Sequence, residues 1–427
     1  MNKSSFIALG LLSACLSMSG FAQNLDGSCT TLEDALNSSI ERRPVVRAAE
    51  ADVEQARADL SDARAQRRPQ VSAFARTQAG DEGLTGSGIE NTLGLQASQR
   101  LYDFGLSRLD RESAKSRVRA RSYSILSAKN QAALQTGEAF LAYLEVQMRL
   151  QITQEREVYF QQQYDATEQA LQVGGATRAD LAEIGARLAD ANADRLELLF
   201  ERDRISTELK SDTGELITPC DTINLSMSDV TIVDQIEKAL ASNSELLSLG
   251  EEVQSLEADA ARSRLNRLPA IDLVAIASYA YDDRIGDWEY RDRIGIDVSV
   301  PLLSGNALNA DRRRQSARLS QRRSERQRFR LELQEAVEVS SRRLLSLRAQ
   351  VFRRQDVVSN QEAQFEAAQI EFEAGLRTLP ELVDDRLELE IAKLAVVDLE
   401  FEIAREQLNL QSLTGGLASR SSPLKEG

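Results

Sequence analysis

The stretch "QRLYDFGLSRLDRESAKSRVRARS" (residues 99–122) begins as a strand-like run, reaches Gly105 and becomes a long charged helical pattern. A similar break recurs in "SVPLLSGNALNADRRRQSARLS" (residues 299–320), around Gly305. Other landmarks keep this register. Pro69 in "QRRPQVSAF" answers Pro269 in "NRLPAIDLV", Gly175 in "VGGATRADL" answers Gly375 in "AGLRTLPEL", and Gly214 in "SDTGEL" answers Gly415 in "SLTGGL". The offset is 200 for the first three pairs, Gly105–Gly305 included, and 201 for the last. Agreement over a whole half-chain predicts a tandem duplication, with one repeat over residues 23–220, a second over 221–416 and a tail over 417–427.

Both halves carry the same order of elements. In the first, a helical pattern fills 31–68, with Thr31 and Asp34 as a cap and Pro44 breaking a short helix from a longer one. A strand is expected at 70–78, a polar loop at 79–91, a strand at 92–104, a helix from Gly105 to Gly174, and a last helix from Thr177 to about Asp212. In the second, helices are expected over 233–267, 306–374 and 378–413, and strands over 270–281 and 292–303 around a loop at 282–291. A helix of about 70 residues is on the order of 100 Å long. The two shorter helical segments of each half, end to end, match that length, so each half reads as a rod. Heptad spacing of Leu134, Leu141 and Met148, and of Ile152, Tyr159, Ala166 and Val173, suits side-by-side helix packing.

Each strand is about the length that crosses a bilayer at a tilt. Ile294, Ile296, Val298 and Val300 share one face, with Gly295, Asp297 and Ser299 on the other. That alternation suits a lipid exterior and a wet interior, and equally a half-buried soluble hairpin. Four strands cannot close a barrel, and open edges are forbidden in lipid. Strands in a membrane therefore require several copies of the chain. Two copies give eight strands and three give twelve; eight leave an interior filled by side chains, so a pore favours three copies or more.

Composition narrows the class. The 427-residue chain has net charge −15, 42% hydrophobic residues and 5% aromatic residues, enough apolar material to pack and the profile of helix-on-helix assemblies. Its acidity argues against nucleic acid as a partner. The Arg-rich run at 311–330 reads as a solvated helix face. The N-terminus reads as a secretory signal, with Lys3, an apolar run, and cleavage after Ala22; "LSAC" (12–15) leaves lipid attachment at Cys15 open. Cys29 and Cys220 each precede the first helix of one half. In an oxidising compartment the pair reads as a disulfide tying the halves together; the alternative is two buried thiols. With no His, no metal-ligand cluster, no phosphate-cradling loop and no nucleophile motif, the chain reads as a passive conduit, not an enzyme, and no cofactor is implied.

These residues resemble the TolC-like outer-membrane efflux and secretion channels. The resemblance rests on the duplication, on "LYDFG" (101–105) and "VPLLSGNAL" (300–308), on "VGGATRADLAEIGARLADANADRL" (173–196), and on the run from Ala374 to Gly415. It implies a mostly α fold with a transmembrane β part: a homotrimer whose twelve-stranded β-barrel sits in outer-membrane lipid and continues as a long α-helical barrel into the periplasm. It implies a periplasmic adaptor and an inner-membrane pump as partners. The "LYDFG" junction and the paired cysteines are more similar to ducts of type I protein secretion than to those of drug pumps. The loops at 79–91 and 282–291 would face outside.

The resemblance also implies a periplasmic gate at Arg377, Glu381 and Asp384, near the start of the last helix. Acids there, repeated around an axis, form a negative ring that favours cations. A second reading of Glu381 stays open, since Thr378-Leu379-Pro380-Glu381 is a capping box and Thr177-Arg178-Ala179-Asp180 its counterpart. Gly174, Gly175, Thr177 and Arg178, with Gly375, Leu376, Arg377 and Thr378, form the tips where an adaptor would dock, or serve only the turns. Two functions remain: an outer-membrane exit duct, for secreted protein or for small molecules, and a periplasmic coiled-coil scaffold without a pore.

Overall fold

A computed structural model describes residues 29–81, 87–220, 231–282, 286–302 and 305–419. The signal sequence and Cys15 lie outside these residues, as do the middles of the two expected outer loops. The first half runs α1 (Leu32–Arg42), α2 (Pro44–Ala65), β1 (Gln70–Asp81), β2 (Ser87–Tyr102), α3 (Leu106–Gln172) and α4 (Arg178–Thr213). The second runs α5 (Ile232–Ser242), α6 (Ser244–Leu265), β3 (Ala270–Asp282), β4 (Asp287–Ser299), α7 (Ala307–Glu373) and α8 (Leu379–Leu413), followed by the short α9 (Gly416–Ser419). Both long helices have 67 residues, about 100 Å each.

Several sequence expectations need correction. The strands reach further into the expected loops, through residues 79–81 and 87–91 in one hairpin and 282 and 287–291 in the other, because cross-strand pairing extends the ladder past the polar composition. Strand β4 stops at Ser299, ahead of Pro301, which has no N–H to donate. The helix expected over 233–267 is two helices. Ser244 stands where Pro44 does, and the break is made by Asn243, the equivalent of Arg43: it ends α5 in an extended conformation and its side chain accepts a bond from the Leu246 N–H at 3.0 Å. Residues 417–419 are not tail but helix, and Leu417 is buried.

The repeat register also shifts. The offset is 200 up to the strands and 201 from the long helices onward. Gly105 and Asn306 are the equivalent left-handed residues before α3 and α7, at φ 95° and 71°. Gly174 and Gly375 are the equivalent left-handed turn residues, at φ 79° and 72°. The pairings Gly105–Gly305 and Gly175–Gly375 are each one residue out, because the second half carries one more residue between strand and helix.

The helices form a single layer. Helix α3 packs beside α1 and α2, which are stacked end to end, and beside α4, α6 and α8; α7 packs on α5, α6 and α8. The largest core lies where the stacked helices meet, with Leu36 and Ile40 of α1, Phe140, Leu141 and Leu144 of α3, Ile205 and Leu209 of α4, and Phe401 and Leu408 of α8. Polar side chains tie the same level. Arg43 pairs with Asp212, and the Asn243 amide donates to the Leu413 carbonyl at 3.1 Å. Beside this core, Cys29 and Cys220 form a disulfide with Cα atoms 4.9 Å apart. The heptad seam weakens toward the end of α3: Leu141 and Ile152 are buried, but Met148, Ala166 and Val173 are exposed in the single chain.

The four strands form one antiparallel sheet in the order β1-β2-β3-β4. Among the described residues, β1 and β4 each have one unpaired edge. No described helix is long and apolar enough to cross a membrane.

Candidate functional site

Two regions carry the chemistry, the sheet at one end of the rod and the helical turns at the other. In the sheet, directly opposed residues share a face. Val71, Ala73 and Ala75 oppose Ala97, Leu95 and Leu93; these continue to Ala275, Ala277 and Tyr279, and on to Ile294, Asp292 and Tyr290. Leu273 opposes Ile296, and Ile271 opposes Val298. Val71, Leu93, Leu95, Ile294, Ile296 and Val298 are all more than half exposed, so this apolar face has no cover within the chain.

Aromatic side chains mark both ends of that face. Tyr279 stacks near Tyr290 and Tyr281 near Trp288, with centroids 5.3 and 5.5 Å apart. At the other end Tyr102 meets Phe104 edge-on at 4.7 Å. From Ile271, opposite Tyr102, to Tyr281 is about 33 Å along the strand, or roughly 25 Å of height at a tilt of about 40°. Apart from Gln99, in register with Leu273, and Asp292, in register with Ala277, that is an apolar band with an aromatic girdle on each side, the pattern of a strand surface in lipid. The other face carries Ser72, Gln96, Ser98, Arg293 and Asp297, and an Arg100–Asp272 ion pair at 2.6 Å. Phe74, Val274, Ile276, Ala270 and Ala280 are its apolar members.

At the opposite end, both turns are built alike. After α3, Gly174 takes φ 79° and the Gly175 N–H donates to the Ala170 carbonyl at 2.7 Å. Thr177 and Asp180 then close a capping box at 2.8 and 3.1 Å. After α7, Gly375 takes φ 72° and the Leu376 N–H donates to the Glu371 carbonyl at 2.9 Å. Val173 and Leu376 stand 84% and 81% exposed at the two turns, and Arg178 is exposed beside them. Gly175 has no positive φ, so only Gly174 of that pair requires glycine for the turn.

The three residues expected at the gate have different surroundings. The Glu381 carboxylate accepts from the Thr378 backbone N–H at 2.9 Å and from the Thr378 hydroxyl at 2.7 Å. These bonds hold its pKa below the usual 4.5. Arg377 meets Asp385, and Glu371 at 3.5 Å. Asp384 is exposed and has no ion pair among the described residues. Asp385 is therefore the partner that sequence reasoning missed. It is buried and also accepts from the Gln364 amide at 2.7 Å, so it joins α8 to α7. Adjacent acids look alike in sequence. Only the burial of Leu382, Asp385 and Leu389 against α7 separates the inward carboxylate from the outward one.

Just above, Arg386 lies over the rings of Tyr159 and Phe365 at 5.4 and 5.7 Å, a cation–π contact joining α8 to α3 and α7. Burial pushes the Tyr159 phenol up to about 12. Arg156 of α3 bridges Asp194 of α4 and Glu390 of α8, the latter at 3.2 Å. Burial raises the Glu390 pKa, opposed by Arg156 and Arg386. These contacts fasten the α3–α4 hairpin to the α7–α8 hairpin above their turns.

A chain that puts an incomplete, lipid-ready sheet on rods of about 100 Å belongs to the class of shared channel subunits. A family described as outer membrane efflux protein matches residues 35–215 and 235–416, one match per half. The chain belongs to this family of TolC-like channels. It is 23% identical over 400 residues to the outer membrane efflux protein BepC of Brucella suis biovar 1, covering 91% of this chain and 86% of that protein. It is 26% identical over 192 residues to the alkaline protease secretion protein AprF of Pseudomonas aeruginosa, covering 43% of this chain and 40% of that one. The fold matches the outer membrane protein VceC of Vibrio cholerae with a TM-score of 0.79 at 15% identity, over 90% of this chain and 96% of that chain. Family membership argues against the scaffold without a pore.

Proposed function

We propose that three copies of this chain form an exit duct in the outer membrane, extending into the periplasm and passing cargo delivered by a periplasmic adaptor and an inner-membrane pump. The observation that carries this reading is the sheet: four strands with two open edges, an uncovered apolar band of about 25 Å and a polar opposite face. Pairing β4 of one copy with β1 of the next satisfies both edges, and the polar faces then line the interior. The helices support the same assembly. Phe200 on α4 and Phe352 on α7 are 70% and 60% exposed on the two lateral edges of the helical layer, both roughly 33 Å from their turns. Copies arranged in a ring bring these two side chains to one level.

For cargo, the reading is type I protein secretion, supported by the "LYDFG" junction, the Cys29–Cys220 bridge and the likeness of nearly half the chain to a protein named for protease secretion. Small-molecule efflux is the second reading, favoured by the likeness of almost the whole chain to BepC, named for efflux. At the far end, Arg377, Glu381 and Asp384, together with Asp385, form the gate, and Gly174, Gly175, Thr177, Arg178, Gly375, Leu376 and Thr378 the surface for the adaptor. Single-channel recording of the purified protein in planar bilayers tests the duct. Discrete conductance from a trimer supports it, and a water-soluble monomer that never conducts ends it. Deleting the gene and comparing secreted proteins with drug susceptibility decides the cargo.

A further inference from the structure

A cleft of about 910 Å³ lies among α2, α3 and α6, next to the strands, and its lining includes Arg64, Arg108, Arg111, Lys115 and Arg119. Glu112 and Glu257 are its only acids, so it is locally positive in a chain of net charge −15. Arg119 is paired with Glu251, and Glu257 with Arg323. Arg64, Arg108 and Lys115 make no ion pair among the described residues and are exposed. These three exposed cations, with the half-buried Arg111, which donates to the Ser107 carbonyl at 3.2 Å and also has no ion pair among the described residues, repel one another, which favours an anion between them.

Helical geometry gives the cleft a side. On α3, Ala114 and Val118 pack on α2, while Ser113 and Ala120 meet α6. At about 100° per residue these directions are roughly 140° apart, and the angle opens toward Arg117 and Arg121. Arg108 and Lys115 sit on the opposite, convex side. In a closed ring of such helices the convex side faces out, away from the conduit.

Depth gives the cleft a neighbour. Arg108 is about 5 Å along the axis from Gly105, just past the Tyr102–Phe104 girdle, and Arg64 is in the last turn of α2 before β1. A headgroup layer extends roughly 5–8 Å beyond the hydrocarbon, so both lie at its level. Lys115 is about 15 Å down, but side chains of α3 lean toward its N-terminus, which is the membrane end. The first turn of α3 itself holds no acidic residue, and the buried Asp103 carboxylate just before it is engaged by the Gly105 and Ser107 N–H groups at 3.1 and 2.8 Å.

We infer that this cleft binds the phosphate of an anionic lipid headgroup in the inward-facing leaflet, with Arg64, Arg108 and Lys115 as its ligands. The inference rests on the membrane placement of the sheet proposed above. Its test reconstitutes the full mature trimer in phosphatidylcholine vesicles with and without about one-fifth phosphatidylglycerol, and counts retained phosphatidylglycerol by native mass spectrometry. The expected result is at least about tenfold more retained lipid in the wild type than in the combined variant Arg64→Gln, Arg108→Gln, Lys115→Gln. Glu112→Gln should raise retention, and Arg117→Gln with Arg121→Gln on the concave side should leave it unchanged. Equal retention in wild type and triple variant overturns the site, as does an equal loss in the concave-side variant. Displacement of the lipid by millimolar inorganic phosphate assigns the cleft to a soluble anion and overturns the lipid. Insertion into pure phosphatidylcholine reports on the sheet alone: insertion with no headgroup preference rejects only the cleft, and failure to insert in either vesicle rejects both.

Discussion

Asp384 and Asp385 are neighbours in sequence and opposites in surroundings, and they should behave differently when changed. Asp385 is buried against α7 and paired with Arg377, so Asp385→Asn removes a charge partner from a half-buried guanidinium. It should raise the fraction of time the channel is open in single-channel records. Asp384→Ala leaves those contacts in place; it should weaken block by multivalent cations. Glu381 answers to pH. Its folded pKa lies below the usual 4.5, so the cap's contribution is fully present above that value and is lost as pH falls through the lower folded value. The protection of the Thr378 amide, measured as its exchange rate relative to the intrinsic rate at each pH, should therefore fall only in that acidic window, and Glu381→Gln should flatten the dependence.

At the scale of elements, the joints between stacked helices are the sensitive points. Gly415 has φ 68°, and a Cβ there would sit 2.7 Å from the Ser242 carbonyl oxygen, at the level where α5, α6 and α8 meet. Gly415→Ala should cost about 2 kcal/mol, read as a lower melting temperature. At the turns, Gly174→Ala forces a left-handed residue to carry a side chain, whereas a Cβ on Gly175 makes only ordinary contact, at 3.5 Å from Ala170. The first substitution should destabilise by roughly 1–2 kcal/mol and the second should be close to neutral. The disulfide closes a separation of 191 residues beside the main core. Replacing both cysteines by serine should lower stability by about 3–5 kcal/mol, measured as the shift in thermal unfolding with and without reductant.

For the whole molecule, the decisive feature is what a single copy leaves uncovered. The apolar sheet face requires lipid, the strand edges require other strands, and the lateral apolar side chains of α4 and α7 require other helices. Each demand belongs to a different surface, and one ring of identical chains meets all three. Phe200→Cys combined with Phe352→Cys should trap linked copies under mild oxidation. A ladder up to trimer on a non-reducing gel is the expected result, and either substitution alone should give at most dimer.

Much of the fold was legible in the chain. Periodicity and uninterrupted helix-forming sequence determined the long rods, because local hydrogen bonding needs nothing beyond the helix itself. Duplication and alternation similarly determined the paired halves and the two-faced strands. Other features depended on contacts between residues distant in sequence. The strand ends were set by cross-strand pairing, and the break at Asn243 is held by its amide's hydrogen bond to the Leu413 carbonyl as well as by its own cap on Leu246. The choice of Asp385 as the partner of Arg377 came from which side of α8 meets α7, and the gathering of Arg64, Arg108 and Lys115 came from the docking of α2 on α3. A helix or strand is decided by its neighbours along the chain, but which of its side chains meet is decided by the surface packed against it.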